Sequence, residues 1–464
     1  MAPMKKLARA LFAFFAICAG SFAIAQPAAA QGGGMLRDSE IEQVLREFCL
    51  PVWRAAELNP DNVDIYIVSD SSLNAFVAGG ENIFVNTGLI LSVENPNQLI
   101  GVLAHETGHI TGGHLARSRD AMQRSMGPAL ISIGLGVLAL IGGAPDAGAA
   151  LISGAPAFAM GNFVRHTQVQ ESAADQAALT YLEASGQSGE GIIDLFNRQF
   201  RRYEFDMRRA PPYLVSHPFS SDRVQALRER AEHADHFNAT DTPENVHNLQ
   251  MIQAKIYGYQ QTLSQTLVRY PLTDRSKPAR YARAFAYYRT SDVPRASQEI
   301  QSLIADEPNN PFFYEIYGQL LFENGRAQEA VAPLRRANAL KPDDALLMVS
   351  LARALAATEP NNAGPNTTEA VRLLERATAL EPDNAFGWRE LASAHDKRGE
   401  GGLARLASAE QSYVTGDYGR AVNFAERAKR ELPNGQPAWQ RANDIVTFSQ
   451  SALQEAQENR GRRS

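Results

Sequence analysis

Cysteine is nearly absent from this chain, with two residues in 464, Cys18 and Cys49. Cys18 lies in a segment that reads as removable, so no intrachain disulfide is expected, and stability must come from other sources, core packing first among them. Apolar runs of spanning length are missing too. Leu11–Ala25 and Ala129–Gly143 each cover about 15 residues against the roughly 20 that a spanning helix needs, and Pro128, Pro145 and Pro156 interrupt the second region. The third absence is an excess of positive charge. Lys and Arg total 45 against 51 Asp and Glu, a net charge of -6, and the basic residues form no stripe, which argues against a nucleic-acid partner. Only Arg460, Arg462 and Arg463 cluster, in a tail (456–464) that reads as disordered.

At the N-terminus, Lys5, Lys6 and Arg9 precede an apolar run that ends in Ala23-Ile24-Ala25 before Gln26. This is the pattern of a signal peptide over residues 1–25, with Ala28-Ala29-Ala30 as a second cleavage site. Phe15-Ala16-Ile17 makes a poor lipidation signal before Cys18, because Ile17 is not small. Residues 26–35, rich in Gln, Pro, Ala and Gly, read as a flexible leader.

The chemistry is concentrated in Leu103-Ala104-His105-Glu106-Thr107-Gly108-His109-Ile110. Residues i and i+4 share a helical face, so His105 and His109 can aim at one point about 2 Å beyond each ring, the reach of a zinc bond. Asn95 suits the N-cap, Pro96 the first helical position and Gln98 the place from which a capping box reaches back. Glu106 falls on the apolar stripe of Leu99, Leu103 and Ile110, where an ionised carboxylate is costly unless a metal and its water compensate it. There it can take a proton from water attacking a polarised amide. One zinc ion per chain is the expected cofactor. His114, nine residues after His105, falls about half a turn away on a continuous helix, so it is expected exposed or behind the ligands rather than on the metal. The third ligand is sought in Gln170-Glu171-Ser172-Ala173-Ala174-Asp175, which opens an Ala-rich helix. Glu171 and Asp175 lie one turn apart, so Glu171 can bind the metal while Asp175 accepts a hydrogen bond from a ligand histidine's far nitrogen.

HETGH followed by E-x-x-A-D resembles the M48 family of zinc metallopeptidases over about residues 36–230. The likeness extends to Asn74-Ala75-Phe76 and Asn86-Thr87-Gly88-Leu89 upstream and Ser216-His217-Pro218 downstream. One departure is that many relatives carry an Arg shortly before the ligand Glu, whereas here Gln168 precedes Glu171 by three and Arg165 sits farther back. The resemblance implies that the His217 loop approaches the metal. There His217 either donates to the developing oxyanion or occupies the metal's open position at rest, while Arg223, six residues on, joins Asp175 behind the ligands.

Around this site the chain reads as follows. Asp38–Ala56 has helical periodicity. Val63–Val68 and Asn82–Val85 read as strands joined across Gly79-Gly80, and one edge can lie beside the cleft to pair with an extended substrate. Met126–Val164, whose one acidic or basic residue is Asp146, reads as buried or interfacial helices, leaving peripheral membrane contact open. Ile192–Arg209 reads as an amphipathic helix with Leu195, Phe196 and Phe200 inward.

From about residue 240 a period takes over. Pro308 and Pro342 lie 34 residues apart and Pro342 and Pro382 lie 40 apart, the extra length falling in the loop Glu359–Asn366. Tyr314, Tyr317, Gly318, Leu321, Ala330, Leu334, Ala337 and Pro342 occupy tetratricopeptide positions. Similar units start at Lys277 and run through Leu351–Pro382, and a less regular last set runs from Trp388 to Pro433, giving four units, enough to stack a continuous core. The expected fold is therefore α+β: a mostly helical, zincin-type metallopeptidase domain with a small β-sheet (36–240), followed by an all-α tetratricopeptide solenoid (241–455).

The expected function is an exported zinc endopeptidase whose repeats present protein substrates or dock the enzyme. The resemblance implies a periplasmic role in outer-membrane protein quality control. This includes degrading misfolded or stalled barrel proteins, assisting their assembly as a chaperone does, and contacting the barrel-assembly machinery through the repeats. The alternative is a proteolytically silent chaperone or scaffold with a structural metal site. Glu106 disfavours it, because a structural site needs no general base. A membrane-embedded prenyl-protein peptidase is disfavoured by the lack of spanning segments.

Overall fold

A computed structural model describes residues 34–115, 167–203, 217, 221–359 and 363–461. The expected signal peptide, most of the leader, the apolar segment 126–164 and Arg165 lie outside the described residues. Contacts divide the chain into two units, Met1–Arg37 with Glu42–Leu249, and Asp38–Ile41 with Gln250–Ser464. Among the described residues no helix is long and apolar enough to cross a membrane.

The first unit opens with a short strand, β1 (Met35–Leu36), where the sequence suggests flexible leader; helix α1 (Ser39–Ala55) follows, its residues up to Ile41 belonging to the second unit and the rest to the first, where Leu45, Phe48, Val52 and Trp53 are buried. Strands β2 (Ile65–Val68), β3 (Ala75–Ala78) and β4 (Asn82–Asn86) follow. The sheet order is β1-β2-β4-β3. Two strands joined across Gly79-Gly80 are expected from sequence, but the hairpin there is β3–β4, and β2 pairs with β4 in parallel. Ala75–Ala78 escapes a sequence reading because four residues with one aromatic show little alternation. Register explains the two faces. Tyr66, Phe84 and Phe76 align and stack, with ring centroids 5.1 and 5.0 Å apart, while Ile67, Val85 and Ala75 align on the buried side. Among the described residues, β3 is an edge of the sheet.

Helices α2 (Thr87–Ser92) and α3 (Pro96–Thr111) come next, and α3 lies against β3. Asn95 caps α3 by accepting from the Gln98 amide at 2.9 Å, and the Gln98 side chain reaches back to the Glu94 amide at 2.8 Å. Helices α4 (167–184), α5 (Glu190–Tyr203) and α6 (Ser221–Ala231) complete the described part of the unit. Glycines set how closely they approach. A Cβ on Gly101 would meet the Ile192 Cβ of α5 at 2.7 Å, and one on Gly108 would meet the Ala174 carbonyl oxygen of α4 at 2.7 Å.

The second unit is helical. Following α7 (Pro243–Gln260) and α8 (Leu263–Arg269), helices alternate as α9 (Lys277–Arg289), α10 (Val293–Asp306), α11 (Pro311–Glu323), α12 (Ala327–Leu340), α13 (Ala345–Ala357) and α14 (Pro365–Leu380). Next come α15 (Ala385–Lys397), α16 (Gly401–Val414), α17 (Tyr418–Glu431) and α18 (Pro437–Gly461). The less regular last set, Trp388 to Pro433, thus holds three helices rather than one pair, and α18 follows it and runs through to Gly461 where a disordered tail is expected from 456. Side chains at tetratricopeptide positions form the interior. A Cβ on Gly318 would meet Leu334 Cγ at 2.4 Å, so the small residue lets α11 and α12 close on each other. Buried Leu321, Ala330, Leu334, Leu351, Leu355 and Leu374 belong to one continuous cluster.

Candidate metal centre

Three helices and one loop residue bring the seven candidate side chains together. Helix α3 supplies His105 and His109 on one face, with Glu106 beside them. Helix α4 supplies Glu171 and, one turn on, Asp175. Arg223 comes from α6, and His217 reaches in from the chain before it. All are buried except His109, which is partly so. The close approach at Gly108 is what places Glu171 opposite the two histidines: α4 passes over α3 where α3 has no side chain.

His105, His109, Glu171 and His217 form a group able to hold a metal ion. Nε2 of His105 lies 3.1 Å from Nε2 of His109 and 3.3 Å from Nδ1 of His217. Glu171 carboxylate oxygens lie 3.3 Å from His105 Nε2, 3.4 Å from His109 Nε2 and 3.0 Å from His217 Nδ1. A tetrahedron of about 2.0–2.1 Å bonds has edges of about 3.3–3.4 Å, so these separations fit one divalent ion at its centre. Nitrogen lone pairs converging at this distance repel unless a cation lies between them.

Behind the donors lies a second set of contacts. Nδ1 of His105 is 3.0 Å from Asp175 Oδ1, and Arg223 binds both Asp175 oxygens, at 2.8 and 2.9 Å, and approaches Glu171 at 3.3 Å. Burial alone would raise Asp175, but hydrogen bonds from His105 and Arg223 outweigh it and hold the carboxyl below the usual range. Glu171 is likewise lowered, by His105 and His217, against its burial. His109 is driven well below its ordinary value by burial and then by His105 and His217, so it is neutral and free to donate a lone pair. Glu106 is raised by burial. Neither carboxylate oxygen has a hydrogen-bond partner, and His217 Nε2 lies 3.6 Å from Oε1. A fully buried carboxylate left unsatisfied fits a site that supplies its partner from outside the protein, as water at a metal would.

His114 departs from the sequence expectation in one respect. The helix is not continuous. It ends at Thr111, Gly113 takes φ +59, and His114 turns back so that its Nδ1 lies 2.9 Å from Nδ1 of His109. It is buried behind the donors, not among them. The adjacent Gly112 and Gly113 are a helix-stop signal that a helical projection to residue 114 overlooks. Cys49 has no part in the chemistry, since burial pushes its thiol far above the ordinary value.

Residues 35–231 match peptidase family M48, and residues 281–345 match the tetratricopeptide repeat. The chain is 26% identical over 379 residues to the beta-barrel assembly-enhancing protease of Yersinia pestis, covering 80% of this chain and 75% of that protein. It is 25% identical over 374 residues to the protein of the same name from Escherichia coli K12, with 80% and 75% covered. Metalloprotease YcaL of Escherichia coli K12 is 28% identical over 183 residues, 37% of this chain and 62% of that one. The chain therefore carries a peptidase M48 domain followed by a tetratricopeptide repeat region, the domain organisation of a metallopeptidase.

Proposed function

We propose that the chain is a zinc-dependent endopeptidase of the bacterial envelope, exported by residues 1–25 and acting on misfolded or stalled outer-membrane barrel proteins. The observation that carries the catalytic part is the five donor separations of 3.0–3.4 Å around one point, with the unsatisfied Glu106 carboxylate beside it. In this reading His105, His109 and Glu171 hold the ion. When bound, the ion supplies the Lewis acidity that activates water and polarises the scissile carbonyl. Glu106 accepts the water's proton and delivers it to the departing amide nitrogen. His217 fills the fourth donor place in the closed arrangement, and must move aside for substrate to enter. Asp175, backed by Arg223, fixes the His105 ring. The edge strand β3 lies against α3, so an extended substrate can add to it through main-chain hydrogen bonds whatever its side chains, which suits unfolded clients.

The names of the two relatives that span most of this chain, which call those proteins beta-barrel assembly-enhancing proteases, support the link to barrel assembly, and the setting in the envelope is supported by the signal-peptide pattern of residues 1–25. The repeats are assigned to client or assembly-machinery binding. Purified protein incubated with casein is expected to give cleavage that a chelator abolishes and zinc restores. Glu106→Gln is expected to lower the rate by about 10²–10⁴ while retaining the metal. Cleavage that ignores the chelator, or survives in Glu106→Gln, removes the catalytic assignment.

A further inference from the structure

We infer that His114 is a positioning residue that fixes the ring and tautomer of His109. The inference rests on the reading of His109 as a ligand. His109 turns Nε2 toward the donor cluster, and its other nitrogen lies 2.9 Å from Nδ1 of His114. Two imidazole nitrogens at that separation share one hydrogen. With Nε2 of His109 given to the ion, Nδ1 of His109 carries the hydrogen, Nδ1 of His114 accepts it, and the hydrogen of His114 sits on Nε2.

The local fold is shaped for this contact. Gly113 at φ +59 reverses the chain just past α3. A Cβ on Gly112 would stand 2.3 Å from His114 Nε2 and 2.7 Å from Cδ2 and Cε1, so a side chain there would evict the imidazole. Gln170, the residue before Glu171, donates to the His114 carbonyl at 3.2 Å, tying the turn to the helix that carries the carboxylate ligand. The two histidines are thus held from behind by different groups. His105 has a carboxylate balanced by Arg223, and His109 has an imidazole. An imidazole acceptor orients the ring without adding negative charge beside Glu171.

The full chain is the material for the test, read by zinc affinity in competition with a chromophoric chelator and by the visible spectrum of the cobalt form. His114→Phe keeps the ring and removes the acceptor, while His114→Asn keeps an acceptor near the position of Nδ1. The Phe variant is expected to bind zinc about 10–100-fold more weakly with an altered cobalt spectrum, and the Asn variant to stay within about threefold of wild type. Gly112→Ala, which displaces the ring without changing its chemistry, is expected to reproduce the Phe loss, and to cost much less when added to His114→Asn. Wild-type affinity in the Phe variant, or equal losses with Phe and Asn, overturns the proposal. Should metal-free His114→Phe lack the wild-type circular dichroism, the Gly112→Ala comparison decides, and wild-type affinity there overturns it. Failure of the underlying ligand reading looks different: His109→Ala would then bind zinc as wild type does.

Discussion

Two carboxylates compete with a metal ion for His105. Burial alone would strip the ring of its proton, but Asp175 and Glu171 outweigh burial and raise it to about 10 in the metal-free protein. At neutral pH the ring therefore carries a proton that an incoming divalent ion must displace. The sign follows directly: below about 10 the proton competes, so apparent zinc affinity is expected to rise with pH, close to tenfold per pH unit between neutrality and that value. Calorimetric titration in buffers of different ionisation enthalpy should count about one proton released per ion. Zero release would mean that His105 is already neutral in the metal-free site. Asp175 is tested separately. Asp175→Asn weakens the contact to His105 Nδ1 and breaks the two-point pairing with buried Arg223. It is expected to lower zinc affinity about 10–100-fold and, through the uncompensated guanidinium, to cost about 3 kcal/mol of stability by urea unfolding.

At the scale of elements, the site depends on a near-collision between α3 and α4. Gly108 sits inside the HETGH motif, where its type has no chemical task, yet a Cβ there would lie 2.7 Å from the Ala174 carbonyl oxygen and 3.0 Å from its Cα. Backbone cannot yield as a side chain tip can. Gly108→Ala is expected to cost about 1–3 kcal/mol and, by pushing α4 and Glu171 outward, to weaken zinc binding even though every ligand is intact. Unchanged affinity would show that α4 relocates without moving the carboxylate. What the sequence made readable follows the same division. His105, Glu106 and His109 could be placed because a single helix fixes their relation, and Glu171 with Asp175 because a second helix does. His217 and Arg223 could be placed only by family resemblance, since the contact between α4 and the downstream chain follows no periodic pattern. The β3 strand, the parallel pairing of β2 with β4 and the turn that returns His114 all depend on long-range or left-handed geometry that hydrophobic periodicity does not encode.

At the scale of the whole molecule, the second unit carries a cost of its own, independent of the metal. Lys255 donates to Asp38 and Glu40 at 2.8 and 2.9 Å, and the Tyr281 hydroxyl donates to Glu40 at 2.6 Å, all within that unit. Glu315 stands in the same charge cluster. Burial pushes it up to about 8, the nearby ammonium of Lys255 pulls the other way, and Asp38, Asp344 and Glu40 add to the rise. A carboxyl that is harder to ionise folded than unfolded binds its proton more tightly in the native state, so stability falls as pH rises from the ordinary carboxylate value toward 8. Lys255 is raised and Tyr281 is raised, but both would titrate well above this window and leave it undisturbed. Each tenfold change in proton affinity corresponds to about 1.4 kcal/mol, so the loss between pH 5 and pH 8.5 is expected to reach at least about 2 kcal/mol. Glu315→Gln keeps the shape and cannot ionise. Urea unfolding followed by circular dichroism should find it close to wild type at pH 5 and more stable than wild type at pH 8.5. A Gln variant that is equally or less stable at the higher pH would mean that ionised Glu315 is fully compensated by Lys255, and that the cluster stabilises the repeats rather than straining them.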